Sequence, residues 1–171
     1  MTTGWIKIAF AQTGVGMKIF DYQTRVRYAE TDQMHVSYYA NYFVWFEAAR
    51  TEYFRAIGLV YADFEKQGLF LPVAEAHCRY LGPSCYDDAL VVRTVVSQMR
   101  QRSLRFEYQI FKNLPQVANP FEGAKPIAAG YTVHVFSDAN LKPARIPDAL
   151  RSKVELASLD MSQSVRRSNF R

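Results

Sequence analysis

The run Tyr28-Ala29-Glu30-Thr31-Asp32-Gln33-Met34-His35-Val36-Ser37-Tyr38-Tyr39-Ala40-Asn41-Tyr42 sets an acidic side chain, Asp32, between a β-like stretch (Thr24 to Tyr28) and a strongly helical one beginning near Ala40. An acid in that position lies just ahead of a helix N-terminus, where unpaired backbone N–H groups and the positive end of the helix dipole gather. A carboxylate and a set of N–H donors brought to one spot can attack a carbonyl carbon and stabilise the oxyanion that forms. An Asp at a helix start also serves as an ordinary N-cap with no chemistry. Its surroundings must decide.

Those surroundings begin with the helix. At 100° per residue, Tyr42, Trp45, Phe46, Ala49, Tyr53, Ala56 and Ile57 fall on one broad apolar arc of a helix from Ala40 to Ile57. Val44, Ala48, Thr51, Glu52 and Arg55 lie on or near the opposite side. Gly58 supplies the stop, as the residue best suited to a left-handed C-cap. So large an aromatic face needs a sheet to cover it. Arg50 breaks the pattern, projecting close to the centre of the apolar stripe. A charge there must be paired or must snorkel, and Glu47 is its nearest local partner. A ligand or interface contact is the other reading.

Beyond the helix the period changes to two. Phe70 to Leu81, Leu90 to Met99, Ser103 to Lys112 and Ile127 to Phe136 read as strands. Leu104, Phe106, Tyr108 and Ile110 alternate with Arg105, Glu107 and Gln109, as in a sheet with one wet face. The Leu90 strand alternates less cleanly and reads as more fully covered. Gly82-Pro83 with Asp87-Asp88, and Arg100 to Arg102, mark turns, and 113–125 is a longer loop. Pro147 sits in the first turn of a short terminal helix running to about Ala157. The order is strand, long helix, then four antiparallel strands, an α+β design.

A chain of 171 residues that is 49% hydrophobic can bury a sizeable core, so one domain accounts for it. Residues 1–16 read as an extension, 17–157 as the domain and 158–171 as a Ser- and Arg-rich disordered tail. The apolar pieces near the N-terminus are too short for a membrane span. Net charge is +5, but no Lys/Arg block precedes Val165, which argues against nucleic acid. That charge suits an acidic ligand equally well. Cys78 and Cys85, the only cysteines, have neither disulfide-framework nor redox-motif spacing and point to free thiols in a reducing compartment, the cytoplasm. A metal site from His77, Cys78 and Cys85 lacks the second ligand cluster that zinc spacings require. No metal is expected.

The motif and element order together resemble the hotdog-fold acyl-CoA thioesterases of the 4-hydroxybenzoyl-CoA thioesterase family. In that family an Asp is followed seven residues later by a Tyr or His at the start of the central helix, and soon after by Asn-Tyr. Here those positions read Asp32, Tyr39, Asn41 and Tyr42. The resemblance covers roughly residues 18–157 and implies a central helix wrapped by a curved antiparallel sheet of about five strands. It implies an acyl-CoA thioester as substrate, with no cofactor beyond the CoA it carries.

The resemblance assigns Asp32 as nucleophile or as base for water, and the backbone N–H of Tyr39 as the oxyanion donor. Many relatives have Gly where this chain has His35. Glycine would permit a φ > 0 turn that His tolerates less readily, so His35 either adjusts the loop, shares in proton transfer or is simply exposed. Arg100, Arg102 and Ser103 match the region where related enzymes place basic residues near the CoA phosphates, although an ordinary hairpin turn would look the same. Tyr42, Trp45 and Phe46 are candidates for lining the acyl group and are equally the obvious core. Subunits of this fold pair with sites at the seam, so a homodimer or homotetramer is implied. An acyl-carrier-protein thioesterase, a hydratase and a non-catalytic acyl-CoA sensor are the rivals. The Asp–His loop of a hydratase is not found, and neither terminus is patterned as a DNA-binding helix-turn-helix.

Overall fold

The computed structural model describes residues 19–117 and 120–155, so the expected extension at 1–16 and tail at 158–171 lie outside it. Five strands and two helices are named here in chain order: β1 (Phe20–Arg25), α1 (Asn41–Ala56), α2 (Tyr61–Lys66), β2 (Val73–Tyr80), β3 (Ala89–Met99), β4 (Ser103–Lys112) and β5 (Ala128–Val135). The strands form one antiparallel sheet in the order β1-β3-β4-β5-β2. The long helix and the sheet match the architecture implied by the hotdog resemblance. Among the described residues no helix is long and apolar enough to cross a membrane.

Helix α1 begins and ends within a residue of the expected span, and Gly58 (φ 75°) follows it in the left-handed region. The first strand differs from expectation. It runs from Phe20 to Arg25, while Tyr28–Glu30 forms a 3-10 turn. The cause is local. Glu30 reaches back to the Arg27 N–H (2.8 Å) and guanidinium (2.8 Å to Nη2), and this reciprocal cap curls the chain out of the sheet. The six-residue α2 was not expected, being too short for a periodicity signal. The terminal helix is present from 148, with Pro147 offering its carbonyl to the Arg151 N–H (3.0 Å).

Register defines two ends of the sheet. Arg25 pairs with Ala89, and Ile110 and Tyr80 both pair with Ala128, so these residues share one end. Met99 pairs with Leu104, Ser103 with Val135 and Val73 with His134 at the other. The ends are about 30 Å apart along β3. Strand β2 is an edge in which every residue except Cys78 is exposed. His77 and Cys78 point to opposite faces, as successive strand residues must; His77 stacks on Tyr131 (5.3 Å between centroids).

The core lies between α1 and the inner face of the sheet, where Tyr42, Trp45, Phe46, Ala49 and Tyr53 meet Leu90, Val92, Leu104, Phe106, Tyr108 and Ile110. Phe46 stacks on Tyr108 at 4.3 Å and 11°. The expected fuller cover of β3 relative to β4 is not found, since each strand buries five residues, although Val95 is fully buried and Phe121 of the long loop lies 3.5 Å from the Arg93 guanidinium.

Arg50 does not pair with Glu47. Its Nη1 donates to His134 Nε2 at 2.8 Å, while Glu47 accepts from Thr51 (3.2 Å). The long stem carries the guanidinium inward to β5, whereas the Glu47 side chain is exposed. With Nε2 as acceptor, His134 Nδ1–H donates to the Leu71 carbonyl (3.2 Å), and Thr132 Oγ1 links Nε2 (2.8 Å) to the Tyr108 hydroxyl (2.9 Å). Burial, and then the Arg50 charge, push the fully buried imidazole down to about 4. In the unfolded chain it titrates near ~6.5. Between those values the unfolded chain binds a proton that the folded chain refuses. The stabilisation is therefore whole above pH ~6.5 and lost as pH falls toward 4, a span worth about 3 kcal/mol. On lowering the pH from about 7 to about 5, the urea midpoint of the wild type is expected to fall further than that of His134→Gln. Equal pH slopes would clear His134 of this role.

Candidate active site

The Asp32 loop is a small closed hairpin. Asp32 N–H donates to the Val36 carbonyl (2.9 Å), His35 N–H to the Asp32 carbonyl (2.9 Å), and Thr31 bridges Ser37. His35 carries φ 61°, the positive-φ turn for which glycine is better suited. The residue is exposed and does not line the neighbouring cavity.

Asp32 Oδ1 accepts the Met34 N–H at 2.8 Å, closing an Asx turn. Among the described residues, no hydrogen bond or ion pair engages Oδ2. The loop is tied to the sheet by Ser37, whose N–H donates to the Ser84 carbonyl (2.7 Å) and whose Oγ accepts from Ser84 Oγ (2.8 Å). The Tyr42 hydroxyl lies 3.3 Å from Ser84 Oγ. Burial pushes the Tyr42 phenol up, leaving it neutral and available as a donor.

At the start of α1 the free donors are identifiable. Asn41, Tyr42 and Phe43 N–H groups bond to the carbonyls of Tyr38, Tyr39 and Ala40, but no backbone acceptor among the described residues takes the Tyr39 or Ala40 N–H. The Tyr39 carbonyl accepts from the Tyr80 hydroxyl (3.1 Å), which fixes this peptide against the end of β2. Asp32 and Tyr39 line one cavity of about 350 Å³, together with Met34, Tyr42, Tyr80 and Leu81. A residue with an unpartnered carboxylate oxygen and a residue with an unengaged N–H thus line the same space. That combination can attack or hydrate a carbonyl carbon while holding its oxygen.

Of the other expected binding residues, Tyr42 alone lines this cavity. Trp45 donates Nε1–H to Glu30 (3.2 Å), and Phe46 packs on Tyr108 in the core. Arg100, Arg102 and Ser103 lie at the opposite end of the sheet, where Arg100 and Ser103 border a smaller hollow of about 180 Å³ with Arg105 and Glu75. Sequence reasoning missed Ser37, Ser84 and Tyr80, whose roles depend on partners 41 to 47 positions away. It also missed Glu30, whose local signal was Arg27 three residues earlier.

Residues 26–154 match the family model described as the thioesterase-like superfamily. The chain is 37% identical over 95 residues to the putative acyl-CoA thioesterase YneP of Bacillus subtilis, spanning 56% of this chain and 69% of that protein. It is 30% identical over 141 residues to the chloroplastic acyl-acyl carrier protein thioesterase ATL3 of Arabidopsis thaliana, spanning 82% and 70%. Among solved structures, the DHNA-CoA thioesterase from Staphylococcus aureus is similar with a TM-score of 0.70 and 28% identity, covering 88% of this chain and 95% of that one.

Proposed function

Because this chain belongs to the thioesterase-like superfamily, we propose that it hydrolyses acyl-CoA thioesters at the cavity where Asp32 meets the start of α1. The carrying observation is the shared cavity itself, lined by both Asp32 and Tyr39. In one route, Asp32 Oδ2 attacks the thioester carbon and the Tyr39 N–H holds the oxyanion. Collapse then expels the CoA thiolate, and water cleaves the resulting mixed anhydride. In the other, Asp32 takes a proton from water, which attacks directly. A thioester is already activated, so a carboxylate and an oxyanion site are sufficient in either case.

The cavity is too small for a whole CoA ester, so the nucleotide must lie outside it. The basic candidates for its phosphates, Arg100 and Arg102, are a sheet-length from Asp32 in the same chain. A second copy resolves this. If two β2 edges pair antiparallel about a two-fold axis, the Asp32 end of one subunit comes beside the Arg100–Arg102 end of the other. An eight-residue edge with seven exposed positions and no Pro or Lys supports such pairing. The working unit is then a homodimer, or a tetramer of such dimers, with each site drawing on both subunits.

Thiol release from a panel of acyl-CoA and acyl-carrier-protein thioesters tests the substrate. Hydrolysis of carrier-protein thioesters alone would favour an acyl-carrier-protein thioesterase, for which the likeness to ATL3 speaks. Replacing Arg100 and Arg102 together with Ala is expected to raise KM for CoA thioesters with little change for a short pantetheine thioester. Mixed dimers of this variant with Asp32→Asn should recover activity, since one of their two sites has both the carboxylate and the arginines. Equal effects on both thioesters, or a monomer by light scattering, would remove the shared site.

A further inference from the structure

Glu30 is a carboxylate that the proposed chemistry does not use. It is 4% exposed and does not line the cavity, yet it stands two residues before Asp32. Its Oε1 accepts from Trp45 Nε1 (3.2 Å), Arg27 Nη2 (2.8 Å) and Arg27 Nε (3.1 Å), and its Oε2 from the Arg27 N–H (2.8 Å). Burial alone would raise its pKa, but the bonds from Arg27 and Trp45 outweigh it and hold the group below the usual carboxylate range. The main chain of the same residue is held as firmly. Its carbonyl accepts the Tyr38 N–H at 2.8 Å and the Asn41 side-chain amide at 2.7 Å.

We infer that Glu30 is a positioning residue for Asp32, its buried side chain and its carbonyl together clamping the Asp32 loop to the first turns of α1. The geometry behind this is specific. Trp45 and Asn41 lie one turn apart on α1, and Tyr38 ends the loop. All three converge on Glu30, with only Thr31 between it and the catalytic carboxylate. Thr31 is itself fixed by its bridge to Ser37. Any displacement of Glu30 therefore moves Asp32 relative to the Tyr39 N–H. Glutamine in its place would turn an NH₂ toward the Arg27 donors, converting an attraction into a donor–donor contact.

The inference rests on Asp32 being the catalytic carboxylate, and the experiment separates the two. Turnover and KM are measured for Glu30→Gln in the wild-type and Asp32→Asn backgrounds, with thermal midpoints as a folding control. In the wild-type background kcat is expected to fall about 10- to 100-fold with KM unchanged, the scale of a misplaced reacting group. In the Asp32→Asn background the same change should do nothing further to the residual rate, because the clamp acts through Asp32. Trp45→Phe, which removes only one donor to Glu30, should give a smaller fall with the same background dependence, and it reads the cycle if Glu30→Gln does not fold. An unchanged kcat, or an equal fall in both backgrounds, overturns the inference and leaves Glu30 a structural anchor. A fully active Asp32→Asn single variant would instead show that the premise failed, before Glu30 is altered.

Discussion

Asp32→Asn is expected to lower turnover at least ~10²-fold, the smaller loss that follows from removing a general base. If Asp32 is the nucleophile the loss should be greater, because an amide cannot form the anhydride. Fold and acyl-CoA affinity should survive nearly intact. The Asn side chain keeps an oxygen to accept the Met34 N–H at the position where Oδ1 does so now (2.8 Å), so the Asx turn stays closed. What changes is Oδ2, the atom without a partner. Tyr39→Phe should be mild, since the proposed donor is the backbone N–H and the phenol is exposed. Steady-state thiol release on the two variants distinguishes the mechanism from its rivals. A fully active Asp32→Asn enzyme would end the assignment of this site, and an inactive Tyr39→Phe would move the chemistry to the phenol.

Gly130→Ala is expected to be the most damaging small substitution in the sheet. Gly130 lies mid-β5 beneath α1, and a Cβ there would overlap the His77 carbonyl of β2 and approach Phe46 Cε2 to 2.9 Å. Neither neighbour can yield. The carbonyl belongs to the paired backbone, and the Phe46 ring is wedged against Tyr108 at 4.3 Å. Overpacking of this kind costs up to about 3 kcal/mol, which in a domain of this size lowers the melting midpoint by roughly 6–12 °C. Turnover should fall as well, because β2 carries Tyr80, which holds the Tyr39 carbonyl. Gly82→Ala is the control, since its new Cβ would meet nothing nearer than Ile127 at 3.6 Å. Calorimetry showing equal midpoints for the two variants would mean that the β2–β5 seam is soft.

The close approach at Gly130 also shows why part of the site was invisible in the chain. A glycine inside a strand signals a bulge or a near neighbour, but only the β5–β2 register says that the neighbour is His77. The same holds for the loop. The positive φ expected to be awkward for His35 is present, because a turn's dihedral demand is local. Ser84, 47 residues from the Ser37 it bonds, carries no such mark. Arg50 gives the contrary lesson. Local spacing named Glu47, and the long side chain instead reached a histidine 84 positions away.

What the sequence determined by itself is whatever repeats or terminates within one stretch of chain. The apolar stripe of α1 and its stop at Gly58, the alternation in β4, and an acid placed just ahead of a helix are of this kind. They depend on backbone periodicity and cap chemistry that a few neighbouring residues contain. The tertiary structure alone decided that β2 is the exposed edge, and that Arg100 and Arg102 lie a sheet-length from Asp32. It also decided that Trp45 reaches Glu30 from the core and that Phe46 stacks on Tyr108, although both share Tyr42's face of α1. Each of these is set by which strands pair and in what register. A hydrogen-bonded ladder shifted by one residue would turn every side chain to the other face without altering any local pattern.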